Sequence, residues 1–432
     1  MQVLQWVLEA LTALCGLWLT IMLAYQLYLT VFGFRKKTKD YEDHDPQSRF
    51  LVLVPAHNEE RVIGDIIDNL NRMDYPRELY DFYIIADNCT DRTAEVARAA
   101  GAQVIETHKD GPDAPTGKPI ALKKALDALG DYHKNYDLLM IFDADNLMDT
   151  NMFREVNSQY LDKGKPDLIQ CYLGAKNKDG YVAWFYYTSY TVTNRFFQLA
   201  KHRLGLNCSV GGTGYAISTA YVRERGGWTT MSLTEDIEIQ VEATEDGRRI
   251  LWNHNVRVYD EKPTSFRASL RQKIRWGQGH WFVALRNTGK ICRALMEKRI
   301  GVGEFISVML YMYSLSAYVV TVLQMILAGV LMLPCFTAHP MATPIGVQIV
   351  GVLIFLYSYF GLFYLADWMD NGIRFKWSTL PVMLVSFVAS MIIGAISQIV
   401  GLLRYRQQHT WVKTEHKLHG DESMSRGSDV SA

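Results

Sequence analysis

Two aspartates stand one residue apart in FDADN, at Asp143 and Asp145, directly after the apolar run Leu138 to Phe142. A lone Asp in such a place is an ordinary turn former or helix cap. Two at this spacing, beyond a buried strand, can hold Mg²⁺ or Mn²⁺, which take carboxylate oxygens together with substrate phosphates. A second acidic group lies in LTEDIE, Leu233 to Glu238, where Thr234 can cap a helix whose first turn holds Glu235 and Asp236. A carboxylate kept ionised by a helix N-terminus and facing a hydroxyl is a general base. Capping alone is the simpler account of the same residues. SVGGTGYAI, Ser209 to Ile217, carries Gly212, Thr213 and Gly214. Such a loop lets backbone approach a ligand closely, or it is only a tight turn. RQKIRWGQGHW, Arg271 to Trp281, interleaves basic and aromatic side chains. That mixture suits a nucleic-acid surface, a membrane-surface helix or a phosphate site.

Charge narrows the last choice. Lys plus Arg number 45 and Asp plus Glu number 45, so no global field attracts a polyanion, and no nucleic-acid partner is expected. The six cysteines are scattered without C-x-x-C or zinc spacing, which fits reduced thiols rather than a metal cluster.

The elements that must position these groups alternate. Phe50 to Val54, Phe82 to Ala86, Gln103 to Ile105 and Leu138 to Phe142 read as short buried strands. Between them Ile63, Ile66, Ile67 and Leu70 recur at helical spacing, and Thr93 to Ala100 and Lys118 to Leu129 also read as helices. The alternation predicts an open α/β sheet of parallel strands. Its ligand crevice then lies beyond the carboxyl ends of the strands, at Pro55 to Glu60, Asp87 to Asp91 and Asp143 to Asn146. Neither G-x-G-x-x-G nor a P-loop signature is present, so a dinucleotide or P-loop site lacks support.

Apolar runs flank this middle. Trp6 to Phe34 is long enough for one membrane span, and Arg35, Lys36, Lys37 and Lys39 follow it, which puts the middle of the chain in the cytoplasm. Phe305 to Phe336, Ile345 to Ala366 and Trp377 to Leu403 are three further candidates. Three crossings would leave the end of the chain outside, yet Arg404, Arg406, Lys413 and Lys417 follow the last run and argue for inside. Either one run is interfacial or re-entrant, or the charge rule fails. These runs hold few charges, with Glu9 in the first, which disfavours a transporter of charged substrate. The basic and apolar residues of 271 to 299 predict an interfacial helix with its basic face toward headgroups. The polar tail after HTWVKTEH reads as disordered.

In order, PAHNE at 55 to 59, Asp87, DAD at 143 to 145, TED at 234 to 236 and QKIRW at 272 to 276 match a known pattern. The chain resembles the membrane-integrated family 2 glycosyltransferases, the group containing cellulose, chitin and hyaluronan synthases. The resemblance is close over about 48 to 290 and covers the membrane segments only in outline. It implies a GT-A nucleotide-sugar-binding domain inserted between transmembrane helices. The organisation would be a span at 1–34, a linker at 35–47, a catalytic domain at 48–270, interfacial helices at 271–303, about three spans at 304–404 and a tail at 405–432. It implies a UDP-sugar donor, UDP-glucose or UDP-N-acetylglucosamine, with Mg²⁺ or Mn²⁺. Pro55, Ala56, Glu59 and Asp87 would form the nucleotide pocket, and Lys118 would lie near base or phosphate. Asp143 would help hold the donor and share the metal with Asp145. Asp236, flanked by Thr234 and Glu235, would deprotonate the acceptor. Gln272, Arg275 and Trp276 would hold the diphosphate and the acceptor end, beside the loop Gly212, Thr213 and Gly214. Trp228 and Trp281 are further stacking candidates, with core packing the alternative for each. Direct displacement would give a β-linkage. The resemblance favours processive β-glycan synthesis coupled to translocation at the plasma membrane, in a homo-oligomer or with an accessory secretion protein. The alternative is transfer of one sugar to a lipid acceptor.

Overall fold

The computed structural model describes residues 2–111, 114–333 and 360–408. Eight strands form one sheet: β1 (Phe50–Ala56), β2 (Tyr80–Asp87), β3 (Gln103–Thr107), β4 (Leu138–Ile141), β5 (Leu147–Met148), β6 (Leu168–Ala175), β7 (Tyr215–Ser218) and β8 (Ile250–Asp260). The labelled helices are α1 (Gln2–Gly33), α2 (Ile63–Asn71), α3 (Thr93–Ala99), α4 (Lys118–Leu129), α5 (Met152–Asp162), α6 (Gly180–Thr193), α7 (Ala200–Arg203), α8 (Thr219–Glu224), α9 (Glu235–Glu245), α10 (Phe266–Met296), α11 (Val302–Met312) and α12 (Ser316–Leu331).

The sheet order is β3-β2-β1-β4-β7-β6-β8-β5. The first four strands pair in parallel, as the alternation predicts. They are apolar on both faces because helices cover both. Phe50, Val52 and Val54 pack with Ile63 and Ile66 of α2 and Phe153 of α5, while Leu51 and Leu53 pack with Ala121 and Leu122 of α4. The expectation of parallel strands throughout does not hold beyond β4. β7 runs antiparallel to β4 and β6, and β5 runs antiparallel to β8. An antiparallel neighbour needs no crossover helix before it. The chain reaches β7 through the glycine-rich loop, where Gly212 and Gly214 hold φ of +81° and +62°.

Among the described residues two helices are long and apolar enough to cross a membrane, Gln2–Gly33 and Trp377–Leu403. Arg203 donates to the carbonyls of Phe32, Arg35 and Lys37, meeting main-chain groups at the end of α1 and just beyond it. The run expected from Phe305 to Phe336 is not one straight span. α11 and α12 meet at 63°. At the bend the hydroxyls of Ser314 and Ser316 donate to the carbonyls of Tyr311 and Tyr313, at 2.8 and 2.6 Å. Such back-bonding competes with the helical ladder. Of the run expected at 345–366, residues 345–359 lie outside the described residues; 360–371 are helical. The tail from 409 onward also lies outside them.

Residues 271–296 of the stretch expected to form an interfacial helix lie in α10, and its basic residues do not all face outward. Lys273 turns onto the rings of Phe185, Tyr186 and Trp276, 5.1, 4.9 and 4.6 Å from their centroids. Cation–π attraction and burial of the aromatic face outweigh headgroup contact there. Burial, with Lys262 nearby, pushes the Lys273 ammonium down to about 7.

Candidate active site

The ends of β1, β2 and β4, the glycine-rich loop, the start of α9 and one face of α10 enclose a cleft of about 450 Å³. Pro55, Ala56 and Glu59 line it from β1 and the turn that follows. Asp87 ends β2, where its Oδ1 accepts from Asn88 Nδ2 and Thr107 Oγ1, both at 2.8 Å. His57 Nδ1 sits 2.7 Å from the Asp87 carbonyl and ties the two strand ends together.

Asp143 and Asp145 do not form a simple pair. The Asp143 backbone N–H is held by Asn146 Oδ1 and Thr213 Oγ1, at 3.0 and 3.1 Å. Its carboxylate takes the Lys118 ammonium at 2.5 Å. Lys118 also donates to the Gly212 carbonyl at 2.5 Å and stands 3.4 Å from Glu235. Burial opposes its charge, but Asp143 and Glu235 hold the ammonium above its usual range. Asp145 accepts from Asn146 Nδ2 at 3.0 Å and from the Glu261 N–H at 3.3 Å, and it faces the cleft. Among the described residues no group of three or more His, Cys, Asp or Glu makes a ready-built ion cage. The donor set is therefore one or two hard carboxylates at an open cleft, which suits a cation that completes its shell with phosphate oxygens and water.

The second carboxylate cluster opens α9. Thr234 occupies the N-cap position, but its hydroxyl makes no cap bond, contrary to the capping expectation. Gly279 of α10 packs closely on it, so that a methyl added there would lie 2.4 Å from Thr234 Oγ1. Asp236 faces the loop, with Oδ2 3.2 Å from where a Gly212 side chain would begin. Burial, and then the neighbouring Glu235, push its carboxyl up to about 7. Glu235 is also raised by burial, with Lys118 pulling the other way. Arg275 reaches the same cleft. Burial lowers its guanidinium, and Glu235, Asp143 and Asp236 oppose that loss. Lys118 and Arg275 thus stand beside Asp143, Glu235 and Asp236 in one cavity, an arrangement fit to receive a diphosphate and to move a proton from a hydroxyl.

Gln272 and Trp276 also line the cleft. Gln272 Oε1 accepts from Tyr186 at 2.8 Å, and Trp276 meets Tyr186 edge-on at 6.2 Å. Of the expected acceptor residues, Gly212 and Thr213 line the cleft, and Trp228 and Gly214 do not. Trp228 is 3% exposed within the apolar core beneath α4 and α9, so packing, the alternative held for it, is its role. Gly214 sits where a methyl would lie 2.4 Å from Val258, which makes it a close-approach residue of the sheet. Thr213 organises the turn after β4, donating to Asn146 and accepting from Asp143. Trp281, held open in the same way, packs against Tyr313.

Several lining residues escape sequence reasoning. Asp260 ends β8 and Glu261 follows it, and that acidic strand end carried the same signal as the three recognised ones. Asp260 pairs with Lys262 at 2.5 Å. Tyr190, His280, Tyr311, Ser314, Leu315 and Gln408 come from helices and helix ends with no distinguishing pattern. His280 donates through Nε2 to the Met312 carbonyl at 2.8 Å, and burial pushes it down to about 4, so it is a neutral bridge between α10 and the bend.

Known proteins agree with this architecture. The chain is 24% identical over 292 residues to the probable glycosyltransferase YdaM of Bacillus subtilis, covering 65% of this chain and 68% of that one. It is 24% identical over 394 residues to a beta-monoglucosyldiacylglycerol synthase of Synechocystis, covering 88% and 77%. A solved mannosyltransferase from Pyrobaculum calidifontis, in complex with GDP-Man and Mn²⁺, superposes with a TM-score of 0.57 at 16% identity, over 91% of this chain and 99% of that one. The fold they share is GT-A, with its curled mixed sheet. Residues 46–279 match the family model described as glycosyltransferase like family 2, and the chain belongs to that family of enzymes.

Proposed function

We propose that this glycosyltransferase moves one sugar from a UDP-sugar to a hydroxyl of a membrane lipid, with inversion. The observation that carries the reading is the make-up of the cleft wall. Asp236 and Arg275 share it with Tyr311, Ser314 and Leu315 at the bend of the apolar pair, and with Gln408 beyond the last apolar helix. An acceptor presented by the bilayer surface enters on that side, opposite the strand ends that receive the nucleotide. The name of the Synechocystis relative, similar over most of this chain, supports a lipid acceptor too.

In this mechanism Asp87 and the β1 turn bind the uridine. Asp145, with Asp143, would hold the Mg²⁺ or Mn²⁺ that supplies Lewis acidity to the leaving diphosphate. Arg275 clamps the same group, and Lys118 fixes Asp143. Ionised Asp236 takes the acceptor proton as the hydroxyl oxygen attacks the anomeric carbon. The bond from that carbon to the diphosphate oxygen breaks, and UDP departs with the charge. Trp276 at the cleft favours a second reading, in which a growing glycan stacks there and is extended processively.

Purified protein in nanodiscs, given a panel of UDP-sugars with Mn²⁺ or Mg²⁺ and diacylglycerol, tests both. The expected result is UDP release that depends on the lipid, with a single-sugar glycolipid as product. High-molecular-weight product would replace the first reading with the second, and absence of UDP release from every donor would remove both.

A further inference from the structure

The 24-residue helix Leu380–Leu403 is apolar or small at every position but Gln398 and carries no charge. At 1.5 Å per residue it is ~36 Å long, enough to cross a hydrocarbon core of ~30 Å. Its packing describes another posture. Met383, Ser386, Ser390, Ile393, Ser397 and Gly401 recur three or four residues apart and are buried along its whole length. Near its start Ser386 Oγ donates to the Tyr181 carbonyl at 2.6 Å, at the first turn of α6. Near its end a methyl on Gly401 would lie 2.7 Å from the Gly277 backbone of α10. Just beyond, Gln408 accepts from the Leu233 N–H at 2.9 Å and donates to the Gln278 carbonyl at 3.2 Å.

The segment before the helix is tied down as well. Asp370 pairs with Arg195 and, at 3.1 Å, with His254; Asn371 accepts from Arg257 at 2.5 Å. Both ends therefore rest on the catalytic unit. A helix crossing the bilayer would carry one end ~30 Å away from it. The opposite face, Leu384, Val385, Val388, Ile392, Ile396 and Ile399, is exposed and wholly apolar. Charge supplies the second observation. Arg374 and Lys376 precede the helix and Arg404 and Arg406 follow it, all four exposed, and Trp377 at its head is 77% exposed. Crossing helices carry their basic excess at one end; this one carries it at both.

We propose that Leu380–Leu403 is an interfacial strap and not a span: it lies along the catalytic unit with its free face in the acyl–headgroup boundary of one leaflet. Anionic headgroups meet the basic residues at its two ends, and the interfacial tryptophan anchors its head. The strap leaves the chain after residue 404 on the catalytic side. That removes the conflict between an odd number of crossings and the basic residues that follow the last run.

Depth measurements on the full-length chain in vesicles of phosphatidylcholine and phosphatidylglycerol test this. Environment-sensitive probes on Leu384→Cys, Ile392→Cys and Ile399→Cys should be quenched by lipids labelled at one common, shallow depth. A spanning helix would spread the three depths by ~1.5 Å per residue and overturn the proposal. In sealed cells, Trp377→Cys and Arg406→Cys should label with an impermeant maleimide from the same side as Lys123→Cys on α4, above the background of the unsubstituted chain. Labelling from opposite sides would also overturn it. So would loss of lipid quenching with crosslinks between chains, since a second copy would then cover the face.

Discussion

The two sides of the cleft are held by different means. On the proposed donor side Pro55, Asp87 and Asp143 sit near or just past the ends of adjacent strands, and the ladder β2-β1-β4 fixes their spacing. On the proposed acceptor side Asp236, Arg275 and Gln408 come from segments far apart in the chain, held by close backbone approach. Gly279 lies on Thr234, and Gly277 lies against Ser397 and Gly401. A sheet spaces its residues through repeated hydrogen bonds, so one side chain can change with little effect on its neighbours. Interlocked helices have no such spare support, and one methyl is felt across the site.

Substitutions can break or sharpen that contrast. The largest effect belongs to Asp236→Asn, which should cut transfer by ~10²- to 10⁴-fold while nucleotide binding, read by calorimetry, stays. Unchanged turnover would remove Asp236 as the base. Next is Gly279→Ala, where overpacking against Thr234 costs ~1–3 kcal/mol and lowers turnover with it. Gly289→Ala, on the same helix with open space around it, should be neutral or stabilising by up to ~1 kcal/mol. Equal unfolding midpoints for the two variants would contradict the interlocked acceptor side. Asp87→Asn should act on the donor alone, raising the KM for the UDP-sugar ~10-fold, since one lost bond to a charged group is worth ~1.5–3 kcal/mol. A matching fall in kcat would show the two sides to be coupled. The pH profile comes next. As the proposed base Asp236 must be ionised, and burial and Glu235 push its carboxyl up to about 7, so kcat/KM should fall as pH drops through that value. Glu235→Gln removes the neighbouring charge that helps raise Asp236, so the acid limb should move to lower pH; movement upward would reverse the assigned cause. The smallest effect is Trp228→Phe, a core change costing under ~1.5 kcal/mol with kinetics unchanged.

The same contrast explains what was legible in the sequence. β1, β2 and β4 are short apolar runs with polar ends, so Pro55, Asp87 and Asp143 could be assigned to one crevice before any coordinates. Asp236 and Arg275 were legible only because they stand in recognisable motifs; nothing in the period of α9 or α10 turns them inward. Gln408 was not legible at all, because RYRQQ carries no mark of a residue that returns to the Leu233 amide. The antiparallel run of β7 was missed because its glycine-rich approach reads equally as a ligand loop. Trp228 and Trp276 have the same side chain, and only tertiary packing sends one into the core and the other to the cleft.

The contact between Gly279 and Thr234 has a consequence for how such a chain can vary. One residue belongs to the segment that follows the arginine and tryptophan of α10, the other to the acidic triplet before α9. Any side chain at 279 demands a smaller one at 234, and at 234 only glycine clears the whole of the space that Oγ1, Cγ2 and Cβ fill. Growth at 279 is therefore blocked unless 234 shrinks with it, so the segments that carry Asp236 and Arg275 are coupled through one steric contact.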